Sequence, residues 1–302
     1  MANIGFVGLG LMGSRIVKRL LAAGYQVYGY NRTRAKAEPL IQAGMQWKDT
    51  PREGAQAPDI TLSMVMDTAA LSSVAEGPDG IVAGLSAGKI YVDMSTVNPH
   101  FTRDLAKRVA ATGANMLDAP VSGSVPAAES GTLVIYVGGD AEALEKVRPV
   151  FEHIGQKIIH VGENGQAIST KIAINLMLPT QLISLFEGLL LAERSGIPRA
   201  AALDFLLNSV AASPAMKYRA PLILKMPDEV WFSAAMMQKD LRLAMEMGEE
   251  LGVELRTVEL AQEMLAKAEE LGWGEADFAV LFRVVEHLSS KSAGVEPGRN
   301  EA

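Results

Sequence analysis

The chain begins with a strand, a glycine turn and a helix in immediate succession. Ile4–Val7 is a short apolar run of the buried-strand type, and it leads directly into Gly8-Leu9-Gly10-Leu11-Met12-Gly13. Ile16, Leu20 and Leu21 then recur on one helical side, with Arg15 and Lys18 on the other, until Gly24 stops the helix. A second strand is expected at residues 26–30. GxGxxG alone is a weak signal in a chain with 28 glycines. Between a strand and a helix it is strong, because each glycine has a physical task. The first permits a tight turn, the second lets backbone approach a pyrophosphate, and the third lets helix and strand pack closely. The helix N-terminus adds N–H donors and the positive end of a dipole. Residues 8–13 are therefore expected to bind a dinucleotide; a plain tight turn is the competing reading.

The end of the second strand discriminates between dinucleotides. An NAD site places Asp or Glu there to accept from the ribose 2′-hydroxyl. This chain has Asn31-Arg32-Thr33, with Lys36 one turn on. A carboxylate would repel a 2′-phosphate, whereas Arg32 can fork onto it and stack on adenine. The expectation is NADP (NADPH) over NAD.

Strand and helix patterns then alternate: strands at 59–66, 89–94 and 115–119, helices at 67–75 and 99–112. Two further strands, 133–138 and 157–161, flank a helix at 141–151. This alternation predicts an α/β fold with a mostly parallel, doubly wound Rossmann-type sheet. Ligands of such sheets bind beyond the carboxyl ends of the strands. Val65 and Met66 are expected on the nicotinamide side, and Thr96 near the reacting carbonyl. After Gly162 the alternation stops, and helical periodicity continues to about residue 290. The expected domains are 1–163 for the cofactor and an all-α C-terminal domain, 164–291. Residues 292–302 form a polar tail expected to fray.

The all-α part opens on a long apolar stretch, charge-free from Ile172 to Phe186, that begins on Lys171. Lys171 and Asn175 are four apart and share a helix face. A lysine entering an apolar helix either snorkels to water or has a task that compensates its burial. The run of 15 uncharged residues contains Asn175, Pro179 and Gln181 and reads as too short and polar for a bilayer. Pro179 should kink the helix or cost a hydrogen bond. The net charge of −7 disfavours nucleic acid and anionic membranes as main partners. With no cysteine, thiolate chemistry and disulfides are excluded. The four histidines lack ligand spacing, so no metal is expected. The N-terminus lacks the pattern of a signal peptide, and a cytoplasmic location is expected.

Four segments stand together: GFVGLGLMGSRIVKRLLAAGYQVYGYNRT at the start, DAPVSGSVPAAESGTL at 118–133, GENGQAISTKIAIN at 162–175 and QKDLRLAMEMGEELGV at 238–253. Their order and spacing resemble the β-hydroxyacid dehydrogenase family, over about residues 1–290. Within it the chain is most similar to the glyoxylate/succinic semialdehyde reductases, in Ser124, in the NRT turn, and in Phe232 with Asp240.

The resemblance implies roles. Gly8, Leu9, Gly10, Leu11, Met12 and Gly13 match the cofactor loop, and Asn31, Arg32 and Thr33 an NADP-type adenosine site. Ser122 and Gly123 fall where the family holds a substrate carboxylate. Thr96 falls where it contacts nicotinamide or substrate. Lys171 falls on the catalytic lysine and Asn175 on its supporting amide. Phe232 and Asp240 fall where the reductases shape the substrate site, and Lys239 on a lysine near the cofactor. The implied reaction is NADPH-dependent reduction of a small aldehyde or oxo acid bearing a carboxylate, with Lys171 as general acid. The runner-up is oxidation of a hydroxyacid such as 3-hydroxyisobutyrate. A more remote alternative is a non-catalytic cofactor-binding protein. The family's habit implies a homodimer or homotetramer. Two departures stand out: Ala167 replaces the third glycine of the usual GxxGxG, and Ile174 replaces the first of two asparagines.

Overall fold

The computed structural model describes residues 2–226 and 229–292. The chain divides by its contacts into two compact units, Met1–Ile172 and Ala173–Ala302. The division falls within one continuous helix, Gln166–Arg194.

The first unit is built on one nine-stranded sheet. Its strands are β1 (Ile4–Val7), β2 (Val27–Tyr30), β3 (Gln46–Trp47), β4 (Ile60–Ser63), β5 (Ile90–Asp93), β6 (Asn115–Asp118), β7 (Val121–Ser122), β8 (Leu133–Gly139) and β9 (Gly155–Gly162). Their order is β3-β2-β1-β4-β5-β6-β8-β7, with β9 beside β8. The six strands from β3 to β6 are mutually parallel. Chain direction therefore puts their carboxyl ends on one edge, and the order reverses about β1, the kind of point at which such sheets bind ligands. All four residues of β1, β4 and β5 are buried, as befits central strands covered on both faces. Phe6 packs with Ile16 and Leu20 of the helix Leu11–Ala22 on one face. Val7 packs with Leu71 and Leu105, from the helices Thr68–Ala75 and Pro99–Ala110, on the other. The architecture is the α/β, doubly wound sheet followed by helices that the alternation predicts.

The sheet is not parallel throughout. β8 runs antiparallel to β6 and β7, and β9 returns parallel to β8. The reversal is made by the short helix Val125–Ser130, which ends on Gly131 at φ 72°. That helix and Pro51–Gln56 are absent from the sequence reading, because six residues are too few to display a helical period.

The second unit contains the helices Arg199–Leu207, Pro214–Arg219, Ala234–Leu251, Arg256–Glu270 and Leu281–Ser292. The last of these begins only at Leu281. Asp277 instead accepts the Ala279 N–H, caps a 3₁₀ turn, and forms a buried ion pair with Arg219. The tail from residue 293 onward lies outside the described residues.

The helix Gln166–Arg194 runs unbroken through Pro179. Proline removes one donor from the ladder, and Thr180 Oγ1 donates nearby to the Leu176 and Met177 carbonyls. At 29 residues it is long and apolar enough to cross a membrane by length and composition, beyond what the 15-residue run suggests. Ile172, Leu182, Ile183, Phe186 and Leu189 are nonetheless buried within the protein.

Candidate active site

The glycine loop leaves the carboxyl end of β1. Gly8 has φ 98°, and a Cβ there would lie 2.3 Å from the Met64 carbonyl oxygen. A Cβ on Gly13 would lie 2.1 Å from the Gly8 carbonyl oxygen and 2.9 Å from the Phe6 ring. Gly10 differs, since nothing lies within 4 Å of its Cβ position. Two glycines are thus demanded by the fold, and the middle one faces open space. The first helical hydrogen bond runs from Ser14 N–H to the Gly10 carbonyl, 3.0 Å. The amides of Leu11, Met12 and Gly13 precede it and have no acceptor within the helix. Three donors beside an open glycine fit the pyrophosphate of a dinucleotide.

Asn31, at the end of β2, ties this loop down. Its Oδ1 accepts the Leu9 N–H at 3.0 Å, and its Nδ2 donates to the Thr33 carbonyl at 2.9 Å. The Leu9 amide is therefore committed to the protein. Arg34 lies over the Trp47 ring, 5.3 Å from its centroid. Arg32 is exposed and makes no such contact with any described residue. Of the two guanidiniums, Arg32 is the one available to a phosphate.

The ends of β4 and β5 are tied by a buried polar network. Val65 N–H donates to Ser95 Oγ at 2.9 Å, and Ser95 Oγ donates to Asp93 Oδ1 at 2.7 Å. Ser63 Oγ donates to the same oxygen at 2.7 Å and meets the Tyr91 hydroxyl at 2.7 Å. Burial pushes the Asp93 carboxyl up to about 6, against the stabilising hydroxyl and amide bonds, with the neighbouring Asp118 adding to the rise. Met66 is 57% exposed on this edge, and Thr96 is half-buried.

Asp118 closes β6 and grips the start of the long helix. Its carboxylate accepts the N–H of Gly165 at 2.9 Å and of Ile168 at 3.1 Å, and the Asn164 side-chain amide at 3.3 Å. Burial pushes its carboxyl upward and these donors oppose the shift. Three residues past Ile168 stands Lys171, only 9% exposed. Four residues past Asp118 comes Ser122, then Gly123 at φ 116°, where a Cβ would meet the Ala127 Cβ at 2.8 Å. Ser124 Oγ is buried without a hydrogen-bond partner among the described residues. Ala167 is explained here. Gly162 and Gly165 take φ of 139° and 88°, whereas position 167 is already helical and fully buried. Alanine suits a helix better than glycine.

In the second unit Asn175 and Asp240 are both buried, and Asn175 Nδ2 donates to Asp240 Oδ2. Lys239 Nζ stands 2.7 Å from Asp240 Oδ1, an ion-pair contact rather than a directed hydrogen bond. Asn175 Oδ1 has no hydrogen-bond partner among the described residues. Phe232 is fixed by its N–H to Asp277 Oδ2 at 3.3 Å and by an edge-to-face contact with Phe278.

Residues 3–162 match the family described as the NAD binding domain of 6-phosphogluconate dehydrogenase. Residues 165–285 match the NAD-binding region of NADP-dependent 3-hydroxyisobutyrate dehydrogenase. The chain belongs to the β-hydroxyacid dehydrogenase family. As a β-hydroxyacid dehydrogenase it is an NAD(P)-dependent oxidoreductase, and its open Gly10 and three helix-start amides fit that cofactor. It is 31% identical over 291 residues to glyoxylate/succinic semialdehyde reductase 2, chloroplastic, of Arabidopsis thaliana, covering 96% of this chain and 81% of that one. Its fold is similar to that of Mycobacterium tuberculosis 3-hydroxyisobutyrate dehydrogenase with L-serine, with TM-score 0.84, 27% identity, and coverage of 94% and 99%. It is likewise similar to Psf3 in complex with NADP+ and 2-OPP, with TM-score 0.86, 28% identity, and coverage of 93% and 99%.

The two aspartates at strand ends are not among the residues that the motifs single out. Asp118 stands in the motif DAPVSG and Asp93 beside Ser95-Thr96, so a carboxylate closing a buried strand was the available signal.

Proposed function

We propose that this β-hydroxyacid dehydrogenase reduces a small carboxylate-bearing aldehyde or oxo acid, of the glyoxylate or succinic semialdehyde type, with Lys171 as general acid. The observation that carries the reading is a lysine 9% exposed on a helix start that Asp118 ties to the carboxyl edge of the sheet. An ammonium so enclosed is not a solvated surface charge, which supports a proton-donating role. When bound, NADPH supplies the hydride. The residues of the chain do the rest. Lys171 gives a proton to the oxygen that becomes an alkoxide, and takes it back in the reverse direction. The Ser122 hydroxyl and Gly123 N–H hold the carboxylate, setting its distance from the carbonyl, and Thr96 bonds near the reacting centre. Asn175 supports Lys171 or substrate, Phe232 and Asp240 shape the pocket wall, and Lys239 attends the cofactor. Arg32, exposed beside Asn31 and Thr33, forks onto the 2′-phosphate. Gly8 to Gly13 with Val65 and Met66 complete the dinucleotide site. Residues 1–163 serve the cofactor and 164–291 the substrate and self-association, in a cytoplasmic homodimer or homotetramer.

A second reading is oxidation of 3-hydroxyisobutyrate, favoured by the match of residues 165–285. Comparing kcat/KM for glyoxylate, succinic semialdehyde and 3-hydroxyisobutyrate, by nicotinamide absorbance, tests the choice. A clear preference for 3-hydroxyisobutyrate would reject the reductase reading.

A further inference from the structure

Two segments of the proposed site leave the sheet at different points of the sequence. One carries Ser122 and Gly123; the other carries Lys171. A single carboxylate joins them. Asp118 lies four residues before Ser122, and it accepts the amides of Gly165 and Ile168 at 2.9 and 3.1 Å. These are the residues that turn the chain from β9 into the helix Gln166–Arg194, where Lys171 stands one turn past Ile168. The connection is reinforced by Asn164, whose amide donates to Asp118 and also to the carbonyls of Met116 at 3.0 Å and Gly138 at 3.4 Å. Asp118 is fully buried, and both its oxygens are engaged by different amides of the helix start. Charge-assisted bonds from a helix start to a carboxylate are stronger than neutral ones and directional.

We infer that Asp118 is a positioning residue of the reaction: it fixes the helix start that carries Lys171 to the strand that carries Ser122 and Gly123. The inference rests on the proposed role of Lys171. Hydride and proton transfer demand close geometry, and a misplacement of about 1 Å can cost roughly 10²-fold in rate. An asparagine at 118 keeps one acceptor but turns an N–H toward a helix amide that also donates. An alanine removes both acceptors.

The test is a double-mutant cycle in the full chain: wild type, Asp118→Ala, Lys171→Ala and the double variant, with Asp118→Asn read in the same way should Asp118→Ala fail to fold. Turnover with NADPH and succinic semialdehyde is measured, with the KM for NADPH. Asp118→Ala is expected to lower kcat roughly 10- to 100-fold and leave the KM for NADPH within about twofold, as befits a residue that binds no ligand. In the Lys171→Ala background the same substitution is expected to change kcat less than about threefold, because there is no longer a lysine to misplace. Equal fold-losses in both backgrounds, or an unchanged kcat in the single variant, would overturn the inference. Near-normal turnover of Lys171→Ala would instead overturn the functional reading itself, and the inference with it.

Discussion

Asn175 donates its side-chain amide to the carboxylate of Asp240, 65 residues further along the chain, and both groups are buried. The other Asp240 oxygen faces Lys239 Nζ. Without Asn175 the buried carboxylate loses its hydrogen-bond donor at Oδ2 and keeps the ion-pair contact with Lys239. Asn175→Leu is therefore expected to reduce stability by about 1.5–3 kcal/mol, the usual worth of a hydrogen bond to a charged group. Urea unfolding measures it, and a change below about 0.5 kcal/mol, the scale of ordinary surface substitutions, would show that Lys239 suffices.

The glycine loop separates folding from binding. Gly8→Ala puts a methyl 2.3 Å from a carbonyl oxygen at φ 98°, so loss of several kcal/mol or failure to fold is expected. Gly10→Ala meets nothing within 4 Å, and Gly10 has ordinary φ −74°. It should fold with unchanged thermal stability yet lose NADPH affinity at least about tenfold, roughly 1.4 kcal/mol. Calorimetric unfolding paired with NADPH titration checks both halves. Full NADPH affinity in Gly10→Ala would remove the pyrophosphate from this loop.

Arg32 offers an exposed guanidinium at the end of β2, while its neighbour Arg34 is engaged with Trp47. Arg32→Asp should weaken NADPH by about 10²-fold or more, near 3 kcal/mol for a lost bidentate phosphate contact and a new repulsion. NADH should be affected much less. Equal losses for the two cofactors, read from fluorescence titrations, would refute the 2′-phosphate role.

These features differ in how readily the sequence discloses them. The sheet and its glycine loop were legible because a short apolar run, then glycines, then a period of 3.6 follow in order at Ile4–Ala22. Lys171 was legible as a charge heading an apolar helix. The grip of Asp118 on Gly165 and Ile168 was not, since residues 47 and 50 positions apart carry no local pattern. The antiparallel return of β8 was equally hidden. Its cause, a six-residue helix ending on Gly131, is too short to show periodicity. Ala167 looked like a departure until the helix was seen to start before it.

Asp93 makes stability depend on pH in a stated direction. Burial raises its carboxyl from an ordinary value near 3.8 to about 6 in the folded chain. The folded state thus binds the proton more tightly, and this contribution is fully present below the unfolded value. It is lost as pH rises through about 6, over a range on the order of 3 kcal/mol. Asp93→Asn keeps an acceptor for Ser63 and Ser95 and cannot ionise. Its stability relative to wild type should rise between about pH 4 and 7 and then level off. Parallel stability–pH curves for the two proteins, from denaturant titrations, would contradict the assignment.

Single-turnover reduction of succinic semialdehyde by NADPH-loaded Lys171→Ala measures whether Lys171 delivers the proton. The rate is expected to fall by roughly 10²- to 10⁴-fold, the usual worth of a general acid, with NADPH affinity unchanged. A rate within about threefold of wild type at saturating NADPH would contradict it.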